Sequence, residues 1–123
     1  MKFIITGGCG FIGSHLIIHL IDKLGFEVIN IDNLSYSSNL HFINKIEKNK
    51  NYTFINANIN DRKKIKNIFE IHQPDKLMHL AAETHVDRSI ENPFQFIETN
   101  IIGTYNLLEI SKNYFQSISE QKK

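Results

Sequence analysis

Apolar residues along this chain come in short blocks whose period switches between strand-like and helix-like. Phe3-Ile4-Ile5 is a compact apolar run that ends on glycines, and its length and composition predict a buried strand. Past the glycines, Ile12, Leu16, Leu20 and Leu24 recur every four residues with Ile17 and Ile21 beside them, which predicts a helix presenting that stripe. Gly25 stands where a helix-ending glycine is favoured. Val28-Ile29-Asn30-Ile31 and Tyr52-Thr53-Phe54-Ile55 predict the second and third strands, with a helical stretch around Leu40–Lys48 between them. Asp61 is placed to cap a helix carrying Ile65, Ile68 and Phe69. Lys76-Leu77-Met78-His79-Leu80 predicts a fourth strand after the turn at Pro74-Asp75. Asn92-Pro93 then supplies a cap and a proline at the first helical position. The helix they open should run to about Tyr114, with Phe94, Ile97, Ile101, Tyr105 and Leu108 on one stripe.

Strands alternating with helices in this way specify an α/β fold with a parallel sheet and right-handed crossovers. The expectation is a Rossmann-type doubly wound sheet, incomplete, holding its first four strands in the order 3-2-1-4. A length of 123 residues allows one domain at most, so residues 1–123 are expected to form part of a single domain.

Charge narrows the partners. Fourteen Lys and Arg against thirteen Asp and Glu leave a net charge of +1, with no long block of one sign. That excludes a generic polyanion binder, so no nucleic-acid partner is expected. The single cysteine, Cys9, cannot close an internal disulfide or build a cysteine zinc cluster, and points to a reducing compartment. From Phe3 to Ile21 no Asp, Glu, Lys or Arg occurs, as in a signal peptide or membrane span. Gly7, Gly8, Gly10 and Gly13 would break a continuous helix there, and His15 and His19 dilute the apolar run. A cytoplasmic protein without a membrane partner is the expectation.

The glycines carry the first chemical signal. Gly8-Cys9-Gly10-Phe11-Ile12-Gly13 fits G-x-G-x-x-G, while Gly7, Gly10 and Gly13 also fit G-x-x-G-x-x-G. The pattern alone is weak. Here it follows a predicted strand, opens a predicted helix, and is followed 19 residues after Gly13 by an acid, Asp32, at the end of the next strand. That combination is the dinucleotide-binding fingerprint: the backbone can approach a pyrophosphate, whose charge the helix N-terminus stabilises, and Asp32 can accept hydrogen bonds from the ribose hydroxyls. A carboxylate there repels the 2′-phosphate of NADP, and no Arg or Lys occurs in the next twelve residues, so NAD is the expected cofactor.

A second cluster, Leu80-Ala81-Ala82-Glu83-Thr84-His85-Val86-Asp87-Arg88-Ser89, begins at the carboxyl end of the fourth strand, beside the crevice where open α/β sheets bind ligands. By chemistry alone it fits a cofactor-lining loop and an ordinary polar loop equally well. His15 and His19 are one helical turn apart but lack a third ligand nearby in sequence, and no metal site is expected. Cys9 reads as small filler rather than a nucleophile, since no base partner is apparent. Arg62, Lys63, Lys64 and Lys66 read as a solvated helix face.

Thr6-Gly7-Gly8-Cys9-Gly10-Phe11-Ile12-Gly13-Ser14 resembles the extended short-chain dehydrogenase/reductase superfamily. His79 through Ile90, with its His85-Val86-Asp87-Arg88-Ser89 run, resembles the dTDP-glucose 4,6-dehydratase family, as does the helix Phe96–Glu109. Sugar-nucleotide epimerases and decarboxylases share the glycines but carry other residues in the loop. The resemblance implies that Gly7, Gly10, Phe11, Ile12 and Gly13 meet the pyrophosphate. It likewise implies that Asp32, Asn33, Leu34 and Ser35 hold the adenosine side, and that Asn58 and Ile59 line the adenine pocket. Leu80, Ala81, Ala82, Glu83 and Thr84 would run along the cofactor, Thr99 would touch it from the long helix, and Thr84 would also reach a nucleotide-sugar substrate. A homodimeric parent enzyme is implied as well. Thr84 stands where the family usually has serine and keeps the hydroxyl; Asn58 replaces the usual aspartate, which removes a charge but keeps an acceptor for the adenine amine.

The same family uses a Tyr-x-x-x-Lys pair to oxidise the sugar and an adjacent Asp-Glu pair to eliminate water. Four residues after Tyr36, Tyr52, Tyr105 and Tyr114 stand Leu40, Asn56, Glu109 and Ile118, and no Asp is followed by Glu. No catalytic residue is therefore assigned. The expectation is a truncated, NAD-binding N-terminal portion of such a lyase, lacking the remaining strands and the substrate domain and inactive alone. The competing readings are a portion of another nucleotide-sugar epimerase or decarboxylase, and a non-catalytic NAD-binding remnant.

Overall fold

The computed structural model describes residues 1–34, 41, 44–83 and 90–121. It divides into two compact units, residues 1–58 with 74–81, and residues 59–73 with 82–123.

The first unit holds the whole sheet. Strands β1 (Lys2–Thr6), β2 (Glu27–Asp32), β3 (Tyr52–Asn56) and β4 (Lys76–His79) lie in the order β3-β2-β1-β4. Every pairing is parallel, with Ile4 opposite both Ile29 and Leu77, and Ile31 opposite Ile55. The expected topology is thus the one observed. β1 and β2 are central and buried on both faces, which is why they read as near-continuous apolar runs, whereas β3 and β4 are half-exposed edges.

Helix α1 (Phe11–Ile18) continues into a π-helical segment, His19–Lys23. Gly25 ends it at φ +67°, its N–H donating to the Ile21 carbonyl and that of Phe26 to the Leu20 carbonyl. Here the expected stripe needs correction. Ile12 and Leu24 are exposed, and the buried line is Gly13, Ile17, Leu20 and Ile21. A four-residue repeat advances about 40° per step on a helix of 3.6 residues per turn, so its two ends cannot share a face. Ile17, Leu20 and Ile21 pack with Phe3, Ile5, Val28, Ile46 and Tyr52 into one core. Within the expected helix Leu40–Lys48, residues 44–48 run as turn, and Leu40, Phe42 and Ile43 lie outside the described residues.

In the second unit, α2 (Arg62–His72) starts where Asp61 was expected to cap it, the Lys64 N–H donating to Asp61 Oδ1 at 3.2 Å. Ile65, Ile68 and Phe69 are buried, and the Phe69 ring meets Tyr114 edge-on at 5.4 Å. Asn92 likewise caps α3 (Pro93–Ile97) through the Gln95 N–H. A π-helical segment, Glu98–Gly103, joins α3 to α4 (Thr104–Gln121), so the helix passes well beyond Tyr114. The stripe Phe94, Ile97, Ile101, Tyr105 and Leu108 lies on the exposed side; Gly103, Asn106, Leu107 and Ile110 are the buried positions. Ile59 fills the space beside Gly103, where a Cβ would fall 2.4 Å from Ile59 Cδ1. Arg62 ties the helices by donating to Asn106 Oδ1 at 2.9 Å and to Glu109.

Candidate functional site

Four parallel strands bring four chain segments to one end of the sheet, and in the first unit the glycine turn, Asp32–Leu34, Ala57-Asn58 and Leu80-Ala81 all follow strand carboxyl ends. Such ends are where open α/β sheets take ligands.

The turn is shaped by packing at most of its glycines. Gly7 sits at φ +73°, donates to the Ile31 carbonyl at 2.9 Å, and lies so near the chain leaving β4 that a Cβ would be 2.6 Å from the Ala81 nitrogen. Thr6, fully buried, holds that same segment: its hydroxyl accepts from the Leu80 and Ala81 N–H groups at 3.1 and 3.2 Å. Gly13 is pinned against the Gly7 carbonyl, 2.3 Å from where its Cβ would stand. Gly10 differs. A Cβ there would meet only the Gly7 carbonyl, at 3.3 Å, so the protein's own packing does not demand glycine. The gap is open at the N-cap of α1, where no side chain caps the helix and its first-turn N–H groups favour an anion. Beside it Phe11 and Ile12 are 69% and 70% exposed, unusual for two successive large apolar residues.

Asp32 is largely buried and oriented by backbone. Oδ2 accepts from the Cys9 N–H at 2.9 Å and Oδ1 from the Leu34 N–H at 2.7 Å. The second bond holds Leu34 at φ +56°, a left-handed conformation for a branched residue. With the Cys9 thiol also bonded to it, the carboxylate still has acceptor capacity left for an external donor. The Ala57 N–H donates to the Asp32 carbonyl at 3.2 Å, which brings exposed Asn58 to the same end of the sheet as Asp32, Asn33 and Leu34. Burial, reinforced by the Asp32 charge, pushes the Cys9 thiol up to about 11, so it stays protonated and inert at neutral pH.

Ile59, Ala82, Glu83 and Thr99 belong to the second unit. Asn100 clamps the Glu83 backbone, accepting from its N–H at 2.8 Å and donating to its carbonyl at 3.1 Å, while Gln95 donates to the Glu83 carboxylate at 3.2 Å. Thr99 lies half-buried in the π-helical segment. Ser35, Thr84 and the run His85–Ser89 lie outside the described residues. At the helix start, the His15 Nδ1–H donates to the Phe11 carbonyl at 2.7 Å, which engages one of the two histidines locally. Among the described residues no helix is long and apolar enough to cross a membrane; Phe3–Ile21 is strand, turn and helix.

Asn30 carries only a faint signal in the sequence, a lone amide in an otherwise apolar strand run, yet its amide accepts from the Gly8 N–H and donates to the Cys9 thiol of the turn.

The family model described as GDP-mannose 4,6 dehydratase matches residues 4–123. A dTDP-glucose 4,6-dehydratase of Escherichia coli is 53% identical over 123 residues, which is all of this chain and 34% of that protein. The crystal structure of a dTDP-glucose 4,6-dehydratase from Streptomyces venezuelae with NAD bound superposes with a TM-score of 0.85 at 34% identity, over 93% of this chain and 36% of that one. A UDP-glucose 4-epimerase from Thermotoga maritima superposes with a TM-score of 0.81 at 40% identity, over 93% of this chain and 35% of that one. The chain spans about a third of the length of the relatives it matches.

Proposed function

The chain belongs to the GDP-mannose 4,6 dehydratase family, and from that premise we propose that it is the NAD-binding portion of a dTDP-glucose 4,6-dehydratase. The observation that carries this reading is Gly10: a cradle at a helix N-terminus that a Cβ would fill, and that the fold itself does not require. The residues fit the cofactor. The first-turn N–H groups of α1 would hold the pyrophosphate at the turn of Gly7, Gly10 and Gly13, with the exposed Phe11 and Ile12 beside it. Asp32 would accept from the adenosine ribose with the acceptor capacity left beside its backbone bonds, and Asn33, Leu34 and Asn58 would stand at the adenosine end; the parts of Ser35 and Ile59 there are what the family resemblance implies. Leu80 and Ala81, at the carboxyl end of β4, would lie on the nicotinamide side; that Ala82, Glu83, Thr84 and Thr99 also meet the cofactor, and Thr84 the sugar, is what the family resemblance implies. NAD bound there supplies reversible hydride acceptance, the chemistry a 4,6-dehydratase needs at the sugar C4.

Residues 1–123 in this reading are part of one nucleotide-binding domain, working in the cytoplasm, where a lone buried thiol is at home. Neither a Tyr-x-x-x-Lys pattern nor an adjacent Asp-Glu pair occurs in the sequence, so the role proposed for these residues is to bind and orient the cofactor rather than to carry the protons of the dehydration. A nucleotide-sugar epimerase portion is the second reading, favoured by the 40% identity to the Thermotoga maritima enzyme.

Calorimetric titration of the 123-residue chain with NAD tests the proposal: saturable one-to-one binding is expected, and no heat beyond dilution would overturn it. Incubation of the chain with NAD and dTDP-glucose should yield no 4-keto-6-deoxy sugar. Fusion to the catalytic remainder of the Escherichia coli relative should restore dehydration of dTDP-glucose but no epimerisation of UDP-glucose; the reverse would select the epimerase reading.

A further inference from the structure

Asn30 is fully buried in the central strand β2, between Ile5 of β1 and Phe54 of β3. An amide there is unfavourable unless its polar atoms are paired. It is paired almost completely. Oδ1 accepts from the Gly8 N–H at 3.0 Å, and Nδ2 donates to the Tyr52 hydroxyl at 3.0 Å and to the Cys9 thiol at 3.5 Å. Two of its partners are consecutive residues of the glycine turn, and the third is on the next strand.

We propose that Asn30 is the positioning residue of the dinucleotide turn, fastening Gly8 and Cys9 to β3 through Tyr52 so that the N-terminus of α1 is set before ligand arrives. Two facts support a specific role over mere filling of space. A Cβ on Gly8 would fall 2.2 Å from Asn30 Oδ1, so the amide and the glycine are a matched pair. The Cys9 N–H, next along the turn, is held by Asp32 two residues further along the strand from Asn30, and alternation puts both side chains on one face. Asn30 and Asp32 therefore grip successive turn N–H groups from a single rigid strand. A hydrophobic residue at position 30 would leave the Gly8 N–H and the Tyr52 hydroxyl buried and unpaired. The functional consequence rests on the NAD-binding reading; the setting of the turn does not.

The test is amide hydrogen exchange, read residue by residue on the 123-residue chain, beside calorimetric NAD titration. Asn30→Val should speed exchange at Gly8 about tenfold relative to Ile29 and Ile31 on the same strand, the scale of one lost buried hydrogen bond. It should also weaken NAD roughly five- to tenfold beyond any loss of folded protein. Tyr52→Phe, a milder change, should move both readouts the same way by about two- to threefold. Leu20→Ala, which weakens the same core without touching the turn, should leave Gly8 exchange unchanged relative to Ile29 and Ile31. Should Asn30→Val not fold, Tyr52→Phe alone decides. Gly8 exchange no faster than that of its strand neighbours would overturn the proposal. If the unsubstituted chain binds no NAD yet Gly8 exchange depends on Asn30, the functional reading fails and the turn assignment stands.

Discussion

Thr6 and His79 are register partners across β1 and β4, and the Thr6 hydroxyl meets His79 Nδ1 at 2.6 Å. The hydroxyl has one hydrogen and already accepts from the Leu80 and Ala81 N–H groups, so it donates to Nδ1. His79 is thereby neutral with its proton on Nε2, and burial holds its pKa below the ordinary histidine value. A lowered folded pKa makes the neutral form the stable one: its contribution is present above the unfolded value of about 6.5 and is lost as pH falls through the folded value. Denaturant unfolding at steps from pH 8 to pH 5 should show stability falling below about 6.5. His79→Asn, whose carbonyl can still accept from Thr6, should make that slope shallower. An unchanged slope in the variant would assign it to other groups.

Gly8→Ala and Gly10→Ala should fail in opposite ways. A Cβ at position 8 collides with Asn30 and, at 2.3 Å, with Ile17 Cδ1. That substitution should cost about 1–3 kcal/mol or more of stability. Alanine at position 10 would meet only the Gly7 carbonyl, at 3.3 Å, a contact that a shift of a few tenths of an ångström relieves, and should cost about 1 kcal/mol or less, the scale of a poorer N-cap. It should nevertheless reduce NAD affinity about tenfold, by filling the space the pyrophosphate needs. Thermal melts paired with NAD titrations check both halves.

Asp32 orders the turn through the Cys9 and Leu34 N–H groups. Asp32→Ala releases both, and in the proposed function removes the acceptor for the ribose, so stability and NAD binding should each fall by about 1–3 kcal/mol. The preference for NAD over NADP should narrow in the same variant. Equal affinity for the two cofactors in the unsubstituted chain would remove Asp32 from the specificity argument.

The exposed stripe on α3 and α4 should make the 123-residue chain associate, because Phe94, Ile97, Ile101, Tyr105 and Leu108 form a run of apolar surface. Ile101→Lys with Leu108→Lys should lower the sedimentation-detected self-association and leave the unfolding midpoint nearly unchanged, within about 0.5 kcal/mol per site. Association that persists in the double variant would place it on another surface, such as the exposed edge of β4.

The positions of β1 and β2 were legible in the sequence because parallel strands buried on both faces need uninterrupted apolar runs, and Val28-Ile29 or Phe3-Ile4-Ile5 has no other comfortable place; strand order followed from the alternation of strands with helices. Helix starts were legible for an equally local reason: Asp61 and Asn92 cap their helices with bonds that span three residues. The fingerprint glycines and Asp32 could be picked out because chain geometry restricts what can stand in such a turn.

Which face of a helix is buried was not legible. Ile12 and Phe11 are as apolar as Ile17, and only the assembled sheet decides that Ile17 enters the core while the other two stay exposed. The stripe from Phe94 to Leu108 has ideal helical spacing, yet the line through Gly103, Leu107 and Ile110 is the buried one, since periodicity reports that a face exists and not what lies against it. Asn30 is the sharpest case. In the sequence it is one polar residue in an apolar strand. Its meaning comes from Gly8, 22 residues away, and Tyr52, 22 residues away on the other side, meeting its amide across two strand pairings. Hydrogen-bond partners so far apart in sequence are chosen by the tertiary fold, because the unfavourable burial of an amide is offset only when that fold delivers them.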